Sequence, residues 1–382
     1  MLTDLARYSS SVGHEVHVIY SPLRADDWFV RELSNVAIAS IQRCNIMRSL
    51  GVSDLWSGLS LRRAMQGLGP LDVIHAHSSK AGLLTRIFCH GLSKTQIYSP
   101  HGFYSMGHGH PIYGTAEKLL SRLSDGIIAV SFFEARHAMK LGISQTKISV
   151  VANGIDSFRR LPRAVARAQL GLSEAAFVVG FVGRLDDQKH PELAIEVADR
   201  LMRDTPIEMC IIGDGPLRAK VEAAITAKNL NSVVRLAGQQ DARLFMQAFD
   251  CLLSTSRYEG MPIAFLEALA SGVPIVTPPV GGALELVVPF QTGSIRENDA
   301  AALAAGIREV RRWLLDRSDE IRSHCQARAA HYSLEVFGDR TVALYRRKGR
   351  QAVPRLYQAR DVGSSSGGAC AAIDNRIYGK MS

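Results

Sequence analysis

The sequence predicts an α/β protein with two domains, and three observations lead to this fold class. The chain has 382 residues, 47% of them hydrophobic and 21% charged, which is an ordinary composition for a folded protein. Short apolar runs alternate with longer amphipathic stretches along nearly the whole chain, as strands alternate with helices in this class. A chain of this length exceeds one domain of ordinary size, so two domains are expected.

Nine apolar runs are predicted to be strands, and most are apolar enough to be buried on both faces of a parallel sheet. The predicted strands cover residues 15–20, 72–77, 126–131, 148–153, 177–183, 208–213, 233–238, 250–256 and 273–278. A further strand is expected to end near Ser99. Amphipathic stretches between these runs, such as residues 190–204, are predicted to be helices.

A polar and basic stretch near residue 160 interrupts the alternation and marks the predicted domain boundary. We expect an N-terminal domain at 1–159 and a C-terminal domain at 160–333. A helix predicted within 334–358 returns to the first domain, and the Gly/Ser-rich segment 359–382 is predicted to be a disordered tail. Ligands of such sheets lie beyond the carboxyl ends of the strands, which predicts a site in the cleft between the domains.

The beginning of the chain departs from this pattern. A domain of this kind should open with a strand and a glycine-containing turn, whereas residues 2–14 are predicted to be helical and the first strand is 15–20. We hypothesise that the first domain lacks its leading strand, because the chain is truncated or because its start was assigned too late.

Composition excludes several functional classes. The net charge of +9 suits nucleic acid, anionic lipid or anionic small molecules, but the basic residues are scattered and no nucleic-acid motif is present, so no nucleic-acid partner is predicted. No CxxC pair occurs among the cysteines, which indicates reduced core thiols and a cytoplasmic location. The six cysteines are Cys44, Cys89, Cys210, Cys251, Cys325 and Cys370.

The segment "SRYEGMPIAFLEALASGVPIV" at 256–276 carries two carboxylates in apolar surroundings. Pro262 suits the first turn of a helix and Gly272 its end, which predicts a helix over 262–271 with Glu259 in the loop before it. Glu267 then lies one to two turns into the helix. A buried carboxylate needs donors such as sugar hydroxyls; the alternative is that Glu267 faces water on a surface helix.

The segment "GFVGRLDDQKHPEL" at 180–193 is predicted to be a strand, a loop with Arg184 and Lys189, and a helix with Pro191 in its first turn. Two cations between a strand end and a helix N-terminus suit a diphosphate and its developing charge. The alternative is that both are solvated surface cations.

Other motifs limit the chemistry. No GxGxxG motif follows a strand and no GxxxxGK[ST] loop occurs, which disfavours a nicotinamide dehydrogenase and a P-loop enzyme. His101, in "SPHGF", follows a predicted strand and can face the cleft. Four other histidines, His75, His77, His108 and His110, lack nearby carboxylates or cysteines that would complete a metal site. No D-x-D pair occurs either, so no metal and no cofactor are expected.

Together, these motifs resemble family 4 of the retaining glycosyltransferases, which have the GT-B architecture. The resemblance extends from about Leu5 to Tyr345. It rests on the ordered set "GHEV", "HAHSSKAG", "PHGF", "AVS", "NGID", "GRLDDQKHPEL", "IIGDGP" and "SRYEGMPIAFLEALASGVPIV". "HSSKAG" with "SPHGFYSM" is similar to enzymes that build bacterial surface polysaccharides. The family's Gly-rich loop after the first strand is absent from this sequence.

The resemblance implies two Rossmann-like domains facing a cleft, with a nucleotide-sugar donor, favoured to be a UDP-sugar, held mainly by the second. It implies that Arg184 and Lys189 bind the donor diphosphate, that Glu259 contacts the sugar hydroxyls and that Glu267 contacts the ribose. His101 would lie across the cleft near the transferred sugar, so His101 and Glu259 are the predicted catalytic residues. The residues implied to line the sugar and phosphate pocket are Glu259, Gly260, Met261 and Pro262.

The implied reaction is transfer of a hexosyl group to a hydroxyl acceptor with retention of configuration, without a metal, in polysaccharide or glycolipid synthesis. The acceptor would be a glycan or a lipid-linked molecule. The basic charge suits a peripheral contact with the inner face of the membrane. Two alternatives stay open: a nucleotide-sugar epimerase of similar architecture, and an inactive remnant that binds sugar nucleotides.

Overall fold

The first part of the chain alternates helices with parallel strands. The computed structural model describes residues 1–23, 25, 27–47, 50–103 and 111–346. In order, the first elements are α1 (Leu2–Ser11), β1 (His17–Tyr20), α2 (Asp27–Ser34), β2 (Ser40–Arg43), α3 (Ser53–Gln66), β3 (Leu71–His77), α4 (Ser79–Phe88), β4 (Ser93–Ser99), α5 (Pro111–Leu120), β5 (Gly126–Ala129), α6 (Phe132–Lys140) and β6 (Ile148–Val150).

The second part repeats the alternation. Its elements are α7 (Arg163–Leu170), β7 (Val178–Val182), α8 (Pro191–Leu201), β8 (Glu208–Ile212), α9 (Arg218–Ala227), β9 (Val234–Gly238), α10 (Ala242–Phe245), β10 (Cys251–Leu253), α11 (Ile263–Ala270), β11 (Ile275–Thr277), α12 (Ala283–Leu286), β12 (Gly293–Ile295) and α13 (Ala300–Ala330), and the last helix is α14 (Leu334–Arg346). The fold is α/β with two domains, as predicted.

The nine apolar runs all contain strands, and the strand expected before Ser99 is β4. Two strands were not predicted. β2 has half-exposed and exposed side chains in alternation, and β12 is only three residues long, so neither has the long apolar run by which the others were found. The predicted helix over 262–271 is α11, with Pro262 as its N-cap residue and Ser271 as its C-cap residue.

The C-terminal sheet has six parallel strands in the order β12-β11-β10-β7-β8-β9. Neighbouring residues of β10 alternate between two core clusters, with Leu252 in one and Cys251 and Leu253 in the other, so the sheet is buried on both faces. The chain order reverses between β7 and β10. In an open α/β sheet, the loops after such a pair of strands form the ligand-binding crevice.

The N-terminal sheet is in two pieces. The strands β3, β4, β5 and β6 form one parallel sheet in chain order, and β1 pairs only with β2, His17 lying opposite Ser40. Within the described ranges, no strand joins the β1-β2 pair to the four-stranded sheet.

The chain crosses between the domains at two adjacent points. Ile155, on the way out, accepts a backbone hydrogen bond from Leu334 and donates one to Tyr332, on the way back. A β-carbon on Gly154 would lie 2.6 Å from the Ser333 carbonyl oxygen, so only glycine fits this approach. α14 then packs on α1. Residues 347–358 of the predicted last helix, the predicted tail 359–382, Cys370, His108 and His110 lie outside the described residues.

Candidate active site

Glu259 lies in the loop between β10 and α11 and is 6% exposed. Its Oε1 accepts hydrogen bonds from Lys189 Nζ at 2.6 Å and from Ser256 Oγ at 2.7 Å. The structure therefore joins two residues that lie 70 positions apart in the sequence. A carboxylate this deeply buried requires such charge-assisted donors.

The cations follow β7. Lys189 precedes α8, and its backbone N–H donates to the Asp186 carboxylate at 3.1 Å, which holds the turn. Its neighbour His190 adopts a left-handed backbone conformation, with φ of 50°. Arg184 is more exposed, at 45%, and its Nε lies 3.7 Å from Asp186 Oδ2. Lys189 thus makes a short ion pair with Glu259, whereas Arg184 makes only a longer one with Asp186 and is more exposed.

The strand order explains why these loops meet. β7 and β10 are hydrogen-bonded neighbours, with Cys251 opposite Val179. The loop after β7 carries Arg184 and Lys189, and the loop after β10 carries Glu259. Both therefore emerge at the carboxyl end of the sheet, at the point where the strand order reverses.

Glu267 lies on α11, facing partly away from water. Burial raises the pKa of Glu267 to about 7, while the nearby Arg243 opposes the shift. Arg243 Nε donates to Asp241 at 3.0 Å, and its guanidinium lies 4.9 Å from the centre of the Trp28 ring. No described side chain donates a hydrogen bond to Glu267 itself. This carboxyl group can therefore accept hydrogen bonds from hydroxyls of a ligand.

The segment after Glu259 runs against the other domain. A β-carbon on Gly260 would lie 3.1 Å from the backbone nitrogen of Gly102, so the two backbones touch across the interface. Met261 is buried, and its carbonyl accepts a hydrogen bond from Asn153 Nδ2 at 3.2 Å. Pro262 is extended, with φ of −68° and ψ of 121°, and is the N-cap residue that precedes α11.

His101 follows β4 in a left-handed conformation, with φ of 53°. Its Nε2 lies 2.9 Å from His77 Nδ1, and the two rings stack. His75 extends the array, with its Nδ1 2.6 Å from the Tyr345 hydroxyl. Burial lowers the pKa of His101 to about 4 and that of His75 to about 3. These imidazoles are therefore neutral at physiological pH. The two ring nitrogens of His75 contact the hydroxyls of Tyr345 and Ser99, whereas His77 and His101 contact each other.

The described residues include no group of three or more His, Cys, Asp or Glu side chains arranged to hold a metal ion. His75 and His77 instead contact Tyr345 and His101.

Sequence reasoning missed four residues at this site: Ser256, Arg243, Glu134 and Glu285. Ser256 and Arg243 contact or face predicted residues, and Glu134 and Glu285 bind backbone N–H groups of the loops around them. Ser256 could have been found, because it precedes Glu259 by three positions. The others gave no signal, since each reaches a partner distant in sequence.

Both halves of the sequence match models of known protein families. The model for glycosyl transferases group 1 matches residues 162–331, and the model for glycosyltransferase family 4 matches residues 1–159. The 2-deoxystreptamine glucosyltransferase of Streptomyces kanamyceticus is 30% identical over 315 residues, which cover 72% of this chain and 81% of that protein. The chain belongs to the family 4, group 1 glycosyltransferases.

A second relative is the UDP-Gal:alpha-D-GlcNAc-diphosphoundecaprenol alpha-1,3-galactosyltransferase of Escherichia coli. It is 29% identical over 261 residues, which cover 62% of this chain and 67% of that protein. The family and its named members make this chain a hexosyltransferase-type enzyme.

Solved structures share the architecture. The Anabaena HepE structure in complex with UDP and glucose has a TM-score of 0.77 at 21% identity, covering 90% of this chain and 94% of that one. The sucrose-phosphate synthase from Thermosynechococcus elongatus has a TM-score of 0.76 at 19% identity, covering 90% and 91%. The fold is GT-B.

Proposed function

We propose that this enzyme transfers a hexosyl group from a UDP-sugar to a hydroxyl of a lipid-linked or glycan acceptor, with retention of configuration. The observation that carries the proposal is the Lys189–Glu259 ion pair, which lies beside Arg184 where the strand order of the C-terminal sheet reverses. The pair would supply a cation for the diphosphate and a carboxylate for the sugar at the edge of the sheet where ligands of such folds bind.

The two cations have different roles in this scheme. Lys189 is held by Glu259, so its ammonium is a fixed point charge for the diphosphate nearest the sugar. Arg184 is exposed and can close on the outer phosphate with its planar guanidinium. Both would stabilise the negative charge that grows on the diphosphate as the bond to the sugar breaks.

Glu259 orients the sugar. One carboxylate oxygen is occupied by Lys189 and Ser256, which leaves the other for donor hydroxyls. His101, in the other domain, would act as a neutral imidazole that exchanges hydrogen bonds with the sugar without adding charge. The acceptor hydroxyl would attack from the side that the diphosphate leaves, and the departing diphosphate takes its proton. No protein base is required for this step.

The donor assignment is supported by the relatives. HepE was crystallised with UDP-glucose as well as with UDP and glucose, and the Escherichia coli relative is named for UDP-Gal. Glu267, on α11, is the residue proposed to bind the ribose hydroxyls. Like the donor pocket of Gly260, Met261 and Pro262, this assignment applies the family pattern to the geometry described above. We propose that the reaction needs no metal ion.

We further propose that the enzyme works as a cytoplasmic protein in peripheral contact with the inner face of a membrane, where a lipid-linked acceptor is presented. The N-terminal end of α3 and the residues before it expose four large apolar side chains, Leu50, Val52, Leu55 and Trp56. Val52 is 85% exposed and Trp56 69%. Arg63 lies two turns after Trp56 on the same face of α3. A tryptophan with aliphatic neighbours and a nearby cation suits the interface of an anionic bilayer. No helix in the described part of the chain is long and apolar enough to cross a membrane.

The activity is tested with a panel of nucleotide-sugars and mass spectrometry for free nucleotide and for glycosylated product. Lys189→Ala and Glu259→Ala should each lower nucleotide release about 100-fold or more, since each removes a charge that acts on the transition state. Lys94→Ala is the matched control, because Lys94 is exposed and pairs with Asp72 at the far end of the first domain's sheet. Rates near wild type in both site variants would contradict the proposal.

Membrane contact is tested by flotation with vesicles that contain anionic phospholipids. Trp56→Glu should abolish flotation, whereas Leu315→Glu should not, because Leu315 is 79% exposed but lies on α13 of the other domain. Equal flotation of the wild type and both variants, or none with the wild type, would contradict this surface assignment.

A further inference from the structure

Two carboxylates outside the proposed reaction link the domains around the site. Glu134 lies on α6, is fully buried, and accepts hydrogen bonds from the backbone N–H of Gly102 and, at 2.7 Å, from that of Val130. Gly102 directly follows His101. A helix of the first domain thus holds the loop that carries the predicted catalytic histidine.

The second carboxylate holds the same helix from the opposite domain. Glu285 lies on α12, and its Oε1 accepts a hydrogen bond from the backbone N–H of Phe133 at 3.1 Å. Phe132 and Phe133 open α6, so their N–H groups have no partner within the helix. A carboxylate there also meets the positive end of the helix dipole. Glu285 is thereby a cap supplied across the domain interface.

The segment before α12 is in turn fixed to the Glu259 loop. The backbone N–H of Gly282 donates to the Gly260 carbonyl at 2.8 Å. A β-carbon on Gly281 would lie 1.8 Å from the Glu259 carbonyl oxygen, so these two segments are in direct contact. The far side of α12 is held as well, because Tyr332 donates from its hydroxyl to the Glu285 carbonyl at 3.0 Å.

These contacts form a closed series, called the circuit below, that returns to the loop where it starts. It runs from the His101–Gly102 loop through Glu134 to α6, across the domain interface to Glu285 and α12, and back to Gly260. Gly260 then touches Gly102, at the start of the circuit. We propose that Glu134 and Glu285 are positioning residues, which together set the distance between the His101 loop and the Glu259 loop for sugar transfer. In this proposal, both carboxylates act through backbone N–H groups and neither contacts the donor.

Burial favours this interpretation, because isolated carboxylates in such places are costly. Burial raises the pKa of Glu134 and of Glu285 to about 7, and the backbone N–H groups that each accepts from oppose the shift. Both carboxylates are nevertheless buried, and the backbone N–H groups that they bind belong to loops that carry or adjoin site residues.

The kinetic test of this proposal rests on the proposed function, whereas a second test, by hydrogen–deuterium exchange, does not require activity. In hydrogen–deuterium exchange on the free full-length protein, Glu285→Ala should raise exchange about tenfold at residues 132–133 and also at 102–103, because the circuit transmits the loss. A change confined to 132–133 would overturn the proposal. The matched control is Glu174→Ala, an exposed carboxylate of the second domain.

In the kinetic arm, Glu285→Ala and Glu134→Ala should each lower kcat about tenfold or more. The Kd of UDP should change by less than about twofold, because in the proposed function UDP is held by the second domain. Glu285→Gln, which keeps an acceptor oxygen, should recover part of kcat and serves if the alanine variant does not fold. The double alanine variant should lose no more than about twofold beyond the worse single variant. Additive losses, unchanged kcat or weakened UDP binding would each overturn the proposal. A wild type that transfers no sugar would refute the proposed function, and the exchange result would still decide this inference.

Discussion

At the scale of single residues, the site depends on how each charge is compensated. Glu259 is compensated within the protein, by Lys189 and Ser256. Glu267 accepts no hydrogen bond from a described side chain, and the charges of Arg243 and of the N-terminal ammonium oppose the effect of its burial. The first carboxylate is therefore already paired before a ligand binds, while burial raises the pKa of the second to about 7. The two acids of one short segment differ because of their surroundings and not their type.

The raised pKa of Glu267 leads us to expect that nucleotide binding releases a proton. Its pKa of about 7 is raised by burial. Ribose hydroxyls that donate to the carboxylate favour its charged form and so lower this pKa. Binding at pH 7 should therefore release about half a proton, and affinity should rise about tenfold from pH 6 to pH 8. Calorimetry of UDP binding in buffers with different ionisation enthalpies measures the release.

Glu267→Gln should bind UDP more weakly and without this proton release, whereas Glu174→Gln should behave like the wild type. Proton release of equal size in the wild type and in Glu267→Gln would show that another group titrates.

At the scale of elements, the loop after β10 is defined by close contact with the segment before α12. Two glycines with positive φ show which position depends on this contact. Gly281 has φ of 47° and would place a β-carbon 1.8 Å from the Glu259 carbonyl oxygen. Gly171, after α7, has φ of 67° and no atom within 4 Å of such a β-carbon. A side chain at either position would strain the backbone, but only at Gly281 would its β-carbon also clash with the Glu259 carbonyl oxygen.

Gly171→Ala should therefore cost about 1 kcal/mol of unfolding free energy, from backbone strain alone, and leave the rate of sugar transfer unchanged. Gly281→Ala should cost about 1–3 kcal/mol more, from overpacking, and lower kcat, because the Glu259 loop must move. Urea denaturation and initial rates measure the two effects. Equal losses of stability in both variants would show that the contact with Glu259 is not rigid.

At the scale of the whole molecule, the first domain is built from two separate parts of the chain. α14 follows the second domain in sequence, yet Leu334 and Phe337 pack in one cluster with Leu5, Ile97 and Ile128 of the first domain. A β-carbon on Gly338 would lie 2.2 Å from the Tyr8 ring, which shows how closely α14 meets α1.

Phe337→Ala should accordingly destabilise the first domain by about 3–5 kcal/mol, the usual cost of removing a buried aromatic side chain. Hydrogen exchange should rise in α1, β4 and β5, while the strands of the second domain stay protected. Leu315→Ala, at a position that is 79% exposed, is the control. Loss of protection in β7 and β10 instead would contradict the assignment of α14 to the first domain.

The sequence by itself determined the alternation of strands and helices, the class of fold and the ends of α11, because apolar periodicity, Pro262 and Gly272 act locally. It also indicated Arg184, Lys189 and Glu259 as candidates, since polar residues at strand ends of such a sheet face a crevice. It did not reveal β2 and β12, whose residues are too exposed or too few to show a period.

Only the tertiary structure decided which of these residues meet. The Lys189–Glu259 pair exists because β7 and β10 are neighbours in the sheet. No local sequence pattern predicts this strand order. The same holds for Glu134 and Glu285, which bind backbone N–H groups of distant loops. A buried carboxylate is stabilised by whatever donors surround it, and those donors are known only when the whole chain has folded around it.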